Sequence, residues 1–189
     1  MKSIIINYPE DFVRTISSEE EDSYVISKNL VQEILDYLLA KLGSFSFNIK
    51  SSFKSDILSS YKVYCNKNVD LFLSIRSIYK EKSEYNWACI QYFNSPLSSQ
   101  YVENVVYRLK KIKFDDTPLF NQVISKKEEG IPDGIPNIIC SFCFNNYGIG
   151  FYNIDKDSFI TQISENILYG IMDQIEQFDY KINLKEFSD

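Results

Sequence analysis

Two kinds of apolar periodicity follow one another along this chain, and their order constrains its fold more than any other feature. Leu30, Val31, Ile34, Leu35, Leu38, Leu39 and Leu42 recur on one helical face, with Ser27 as a cap and Gly43 as a stop. This spacing predicts a helix over 29–42. Val102, Val105, Val106, Leu109 and Ile112 form the stripe of a second helix over 99–112, behind Pro96 and a Ser98 cap. Ile160, Ile163, Ile167, Ile171, Ile175 and Phe178 do the same for a third over 159–178. Asp155, Asp157 and Ser158 stand at its start, where carboxylates and hydroxyls satisfy free amides and the helix dipole. Gly170 inside this stripe costs about 1 kcal/mol against alanine, which points to close helix packing.

Between the helices the period drops to two. Phe45, Phe47 and Ile49 alternate with polar residues, and 61–65 reads as a further strand. Val69, Leu71, Leu73 and Ile75 alternate with Asp70, Phe72, Ser74 and Arg76. The polar turn 80–84 then leads into 85–93, so this pair reads as a hairpin. A second hairpin is expected between 138–144 and 149–154, through Asn145, Asn146, Tyr147 and Gly148. Such clustering predicts an α+β fold rather than alternating βαβ units. The expectation is one domain over 1–189, with a mainly antiparallel sheet, a meander plus the second hairpin, packed by three amphipathic helices. The 44% hydrophobic content, with 14 Phe and 14 Tyr, is enough to fill such a core.

The chain contains no histidine. Ser-His-Asp and Cys-His relays, histidine-containing zinc sites and haem-histidine ligation are therefore outside its repertoire. Gly148-Ile149-Gly150 lacks the third glycine and following helix of a dinucleotide fingerprint and reads as hairpin geometry. Cys140 and Cys143 fit C-x-x-C, but they lie in a stretch of strand formers whose odd spacing sends the two thiols to opposite faces. With Cys65 and Cys89 on separate segments, the cysteines read as buried, reduced thiols, and no metal or cofactor is expected. The apolar stretch Ile4–Ile6 is shorter than the roughly 7–15 residues of a signal core. It is also shorter than the roughly 20 of a membrane span. Neither length occurs elsewhere, which predicts a cytoplasmic location and no membrane contact.

Charge is unevenly distributed. Residues 1–40 carry 3 basic and 8 acidic side chains, 41–113 carry 12 and 5, and 114–189 carry 5 and 13, within a net charge of −6. The basic group Arg108, Lys110, Lys111 and Lys113 fits the negative end of the second helix dipole, and a sequence pI near 4.8 argues against a nucleic acid partner. Glu19, Glu20, Glu21 and Asp22 form an acidic run, with Asp115, Asp116 and Asp133 as further candidates for contact with a basic protein. The loop Gly130–Pro136 repeats Gly-Ile-Pro around Asp133 and reads as a rigid connector or a recognition loop. Trp87, Tyr85, Tyr92, Phe93 and Tyr101 crowd one stretch, either as core or as part of a face open to a partner.

In size, charge and lack of catalytic motifs the chain resembles the small acidic immunity proteins that neutralise bacterial toxins. That resemblance implies a non-catalytic, protein-binding inhibitor of a basic toxin such as a nuclease. Two alternatives stand beside it. One is a carboxylate- or metal-dependent small hydrolase using Asp115, Asp116, Asp155 or Asp157. The other is an adaptor or scaffold using the Gly130–Pro136 loop and exposed aromatics.

Overall fold

A computed structural model describes residues 3–7, 18–45, 48–52, 61–62, 69–77, 86–93, 95, 97–128, 134–144 and 152–186, with 18–28, 48–52, 77 and 176–186 by their backbone alone. The elements run β1 (Ser3–Asn7), α1 (Ser18–Ser44), β2 (Asn48–Ser52), β3 (Leu71–Ser77), β4 (Trp87–Phe93), α2 (Ser98–Leu109), β5 (Lys113–Phe114), β6 (Thr117–Pro118), β7 (Gln122–Glu128), β8 (Asn137–Cys143) and α3 (Lys156–Glu186). Six strands form one sheet in the order β2-β1-β3-β8-β4-β7, and β5 and β6 make a separate ribbon.

The α+β class and the three helices agree with the sequence. The strand pairing does not. The expected mainly antiparallel sheet is instead mostly parallel: β1–β2, β1–β3, β3–β8 and β4–β7 are parallel pairs, and β4–β8 is antiparallel. The expected hairpin of β3 with β4 is broken by β8, which inserts between them from far along the chain. Parallel strands buried on both faces read as continuous apolar runs rather than alternating ones. Ser3–Asn7 and Asn137–Cys143 are buried at every position. The Ile4–Ile6 stretch, too short for a signal core, is thus the centre of a core strand. The second hairpin is also absent as expected: Tyr152–Ile154 form a helical turn, and 145–151 lie outside the described residues. Of the strand expected over 61–65, Tyr61 and Lys62 are helical and 63–65 are outside the described residues.

All three helices cover one face. Ile4, Ile6, Leu71, Leu73, Ile75, Ala88, Ile90, Ile138, Cys140 and Phe142 of the sheet meet the stripes of α1, α2 and α3 in a single core. Phe142, Phe144, Phe120 and Phe159 interlock there, with ring centroids 5.6–6.0 Å apart for the pairs Phe120–Phe142, Phe142–Phe144 and Phe144–Phe159. Polar ties close the helix layer from outside. Tyr37 donates to Glu165 at 2.9 Å, and Glu33 accepts from Tyr152 at 3.1 Å while pairing with Lys156 at 2.7 Å. Arg108 pairs with Asp173 at 2.6 Å and lies over the Tyr169 ring. Among the described residues no helix is long and apolar enough to cross a membrane.

Two expected caps behave differently. Asp155 Oδ1 accepts from the Ser158 amide at 3.1 Å, as a cap of α3. Ser98 is instead the first residue of α2, buried, and its hydroxyl accepts the Asn137 amide of β8 at 2.9 Å. The hydroxyl thus ties α2 to the sheet rather than capping its own helix.

Gly170 of α3 lies against α2. A Cβ there would stand 2.8 Å from Val105 Cγ2 and 2.9 Å from Val105 Cα, and the backbone atom cannot rotate away. Gly170→Ala therefore gains about 1 kcal/mol of helix propensity but incurs an overpacking cost of about 1–3 kcal/mol. We expect a net loss of stability, read as a lower thermal midpoint, and a larger loss for Gly170→Val. An unchanged or raised midpoint for both would contradict this helix packing.

Candidate functional site

The face opposite the helices divides into an apolar half and a polar half. Near the amino ends of the parallel strands, Ile5, Phe72, Ile139 and Phe93 gather with Val69 round the buried Tyr61 ring, which lies 5.6 Å from Phe72 and 4.8 Å from Phe93. Asn137 is buried in this half; its Oδ1 accepts the Phe93 amide at 2.6 Å and its Nδ2 donates to the Ile135 carbonyl at 3.0 Å.

Toward the carboxyl ends of β1, β3 and β8 the same face turns polar. Residues directly opposite one another in register share a face. One such row is Asn7, Ser74, Ile139, Gln91 and Lys126; the next is Arg76, Ser141, Cys89 and Ile124. In sheets with parallel strands, the carboxyl ends are where ligands are bound.

Arg76 organises these rows. Its Nε donates to Ser141 Oγ at 2.7 Å and its Nη2 to Gln91 Oε1 at 2.6 Å. Gln91 Nε2 donates in turn to Glu128 Oε1, which also accepts from Lys126 Nζ at 3.1 Å. One hydrogen-bonded chain thus crosses β3, β8, β4 and β7. Burial pulls the half-buried Arg76 guanidinium below its ordinary pKa, though an arginine stays charged at any working pH. The Lys126 hydrogen bond holds the Glu128 carboxyl below its ordinary value, with Gln91 and the charges of Lys126 and Arg76 adding to this against burial. Burial pushes the Cys89 thiol up, opposed by Lys126 and Arg76, so it is a neutral thiol at pH 7. One strand away, the buried Asn7 donates from Nδ2 to Ser74 Oγ at 3.3 Å, while its Oδ1 has no hydrogen-bond partner among the described residues.

The residues singled out from sequence lie elsewhere. Glu19, Glu20, Glu21 and Asp22 fall in the first turns of α1. Asp115 and Asp116 are exposed, with φ of 46° and 62°, and form the two-residue turn between β5 and β6 that tolerates left-handed backbone. Asp133 and most of the Gly130–Pro136 loop lie outside the described residues. Asp155 caps α3 and Asp157 sits in its first turn, so the carboxylates proposed for a hydrolase occupy a turn and a helix start rather than one pocket. Cys89, Cys140 and Cys143 are buried, with Cys140 in the helix-side core and Cys143 opposite Trp87 on the far face.

The described residues of the far face do not suit a divalent metal. Among the described residues no three His, Cys, Asp or Glu side chains converge. The hydrogen-bonded network offers one carboxylate, Glu128, and a neutral thiol lies beside its two cations, Arg76 and Lys126, which repel a metal ion. No signal short of strand register could have assembled Arg76, Gln91, Glu128 and Ser141 from sequence.

No protein-family model matches the chain, nor does any curated protein. Solved structures do match. An N-acetylmuramoyl-L-alanine amidase of Nostoc punctiforme superposes with a TM-score of 0.65 at 14% identity, covering 93% of this chain and 97% of that one. An amidase of Clostridioides difficile, solved in complex with a lipoprotein, gives 0.63 at 15% identity over 93% and 99%. The apo amidase of Mycobacterium abscessus gives 0.62 at 8% identity over 92% and 98%. At these identities the likeness is one of fold. It corrects the expectation of a non-catalytic, immunity-type toxin inhibitor, because the chain has the fold of N-acetylmuramoyl-L-alanine amidases over nearly its whole length. Nothing in it supports a basic toxin as partner.

The placement of Cys89 between opposing charges yields a signed prediction. Arg76→Gln removes a cation that lowers the thiol pKa, so the Cys89 pKa should rise further. Glu128→Gln removes an anion that raises it, so the pKa should fall. Alkylation rates of the Cys89 peptide against pH, read by mass spectrometry, check both signs; two unchanged profiles would contradict the cluster.

Proposed function

We propose that this chain is a carboxylate-dependent hydrolase that cleaves an amide bond of the N-acetylmuramoyl-L-alanine type on the far sheet face, where the hydrogen-bonded network reaches β7. One observation carries the reading: Glu128, the carboxylate of the hydrogen-bonded network, stands on this face of a fold shared with such amidases. Its carboxyl is held below its ordinary value and is ionised at neutral pH. In that form it accepts a proton from a bound water, which attacks the amide carbonyl, and it returns the proton to the leaving nitrogen. Lys126, on the same carboxylate, keeps it charged and oriented. Histidine is not required for this chemistry, and none is present.

Purified protein incubated with muramoyl-peptide fragments should release free peptide, detected by mass spectrometry. Glu128→Gln should lower kcat by roughly 10²–10⁴-fold. A group with a depressed pKa stays active above that pKa and loses activity as pH falls through it. The acid limb should therefore lie below the ordinary glutamate range in the wild type and move upward in Lys126→Ala. No release by the wild type, or full activity in Glu128→Gln, would overturn the reading.

A further inference from the structure

We propose that Arg76 and Gln91 are positioning residues for Glu128: with Lys126 they hold the carboxylate by Oε1 and leave Oε2 as the oxygen that takes the proton. The inference deepens the hydrolase reading and rests on it for the reaction, but not for the hold on the carboxylate.

Arg76 and Ser141 fix the orientation of the Gln91 carboxamide. Its Oε1 accepts from Arg76 Nη2 at 2.6 Å and from Ser141 Oγ at 3.4 Å. The guanidinium secures both contacts, since its Nε donates to the same Ser141 Oγ at 2.7 Å. A half-turn of the carboxamide would aim its NH2 at the cation and its carbonyl at the Glu128 carboxylate, two repulsive contacts in place of two attractive ones. Arg76 on β3 thus turns the Gln91 Nε2 donor toward β7, and a neutral side chain passes the orientation on to the carboxylate.

A second observation concerns which oxygen is held. Both donors reach Glu128 at the same atom: Gln91 Nε2 and, at 3.1 Å, Lys126 Nζ each donate to Oε1. The lone pairs of Oε1 are thereby occupied, while Oε2 accepts no hydrogen bond from a described residue. The Glu128 side chain keeps 30% of its surface exposed, which lets water reach the carboxylate. The proton that Oε2 takes from that water is the one returned to the leaving nitrogen, so the carboxylate ends the cycle ionised. The charged and titratable groups round it are Lys126 on β7, Arg76 on β3 and the neutral Cys89 thiol on β4.

NMR titration of the full chain, labelled at its glutamate carboxyl carbons, tests the hold, with the Glu128 resonance identified by its loss in Glu128→Gln. Gln91→Met, which removes the donor and keeps the bulk, should raise the Glu128 pKa. Gln91→Glu, whose carboxylate pairs with Arg76 and repels Glu128, should raise it too, and reads the same hold should Gln91→Met fail to fold. Kinetics on muramoyl-peptide fragments test the role. Gln91→Met should lower kcat by roughly 10–10²-fold, the cost of misplacing a reacting group slightly, with KM little changed. Arg76→Lys keeps the charge without the fork; it should lower kcat in the wild type and add nothing in Gln91→Met, because it acts through that side chain. An unchanged Glu128 pKa in the Gln91 variants, an unchanged kcat in Gln91→Met, or effects of Arg76→Lys and Gln91→Met that multiply would overturn the positioning role. A raised Glu128 pKa in Gln91→Met, with no cleavage by the wild type, would sink the hydrolase reading alone.

Discussion

A guanidinium set into the inner face of a sheet must be hydrogen-bonded, because a buried unpaired cation is among the most expensive groups a fold can hold. Arg76 meets that demand by reaching across strands rather than along its own. It donates to Ser141 on β8 and to Gln91 on β4, and Gln91 passes the link to Glu128 on β7. The network exists only because β8 lies between β3 and β4; a β3–β4 hairpin would have put Arg76 directly beside β4 and left no place for Ser141. Strand order, the polarity of this face and the geometry of the candidate site are consequences of one insertion.

The two faces divide the work. On the helix side, α1, α2 and α3 bury the stripes that hold the molecule together, with Gly170 letting α3 approach α2 and Ser98 tying α2 to β8. On the other side, the Tyr61 cluster and the Asn137 carboxamide secure the amino ends of the parallel strands. The carboxyl ends carry groups that are not optimal for stability: among the described residues, a cation without a carboxylate, a carboxamide oxygen without a donor and a thiol among charges. Sites commonly depart from local consistency in this way, and the rest of the fold offsets the cost.

The helices were legible because a 3.6-residue stripe is long and redundant: Leu30 to Leu42 and Ile160 to Ile175 repeat their signal over several turns. Their extents were less so, since α1 begins at Ser18 and α3 runs to Glu186. Strand identity was partly legible and strand partnership was not. Leu71, Leu73 and Ile75 announced β3, but the Ile4–Ile6 run gave no alternation to read, and Gln122–Glu128, mostly exposed on the edge of the sheet, resembled a loop. Pairing is a long-range property. Arg76 and Ser141 are 65 residues apart in sequence, and nothing local marks them as neighbours. The acidic residues that stood out, Asp115 and Asp116 among them, did so by composition; in space they answer to turn geometry.

The central claim is that the Arg76 network sets the polarity of this face and does not brace the fold. Urea denaturation of Arg76→Met tests it directly, since methionine keeps the apolar stem and removes the charge. Replacing a desolvated ion by an apolar side chain of similar size is neutral or stabilising by about 1 kcal/mol or more when the ion serves no structural pairing. The account predicts a midpoint at or above that of the wild type, with an unchanged slope. A loss of about 3 kcal/mol or more, the size expected when an essential buried pairing is broken, would make the Arg76 network a structural brace and contradict the account.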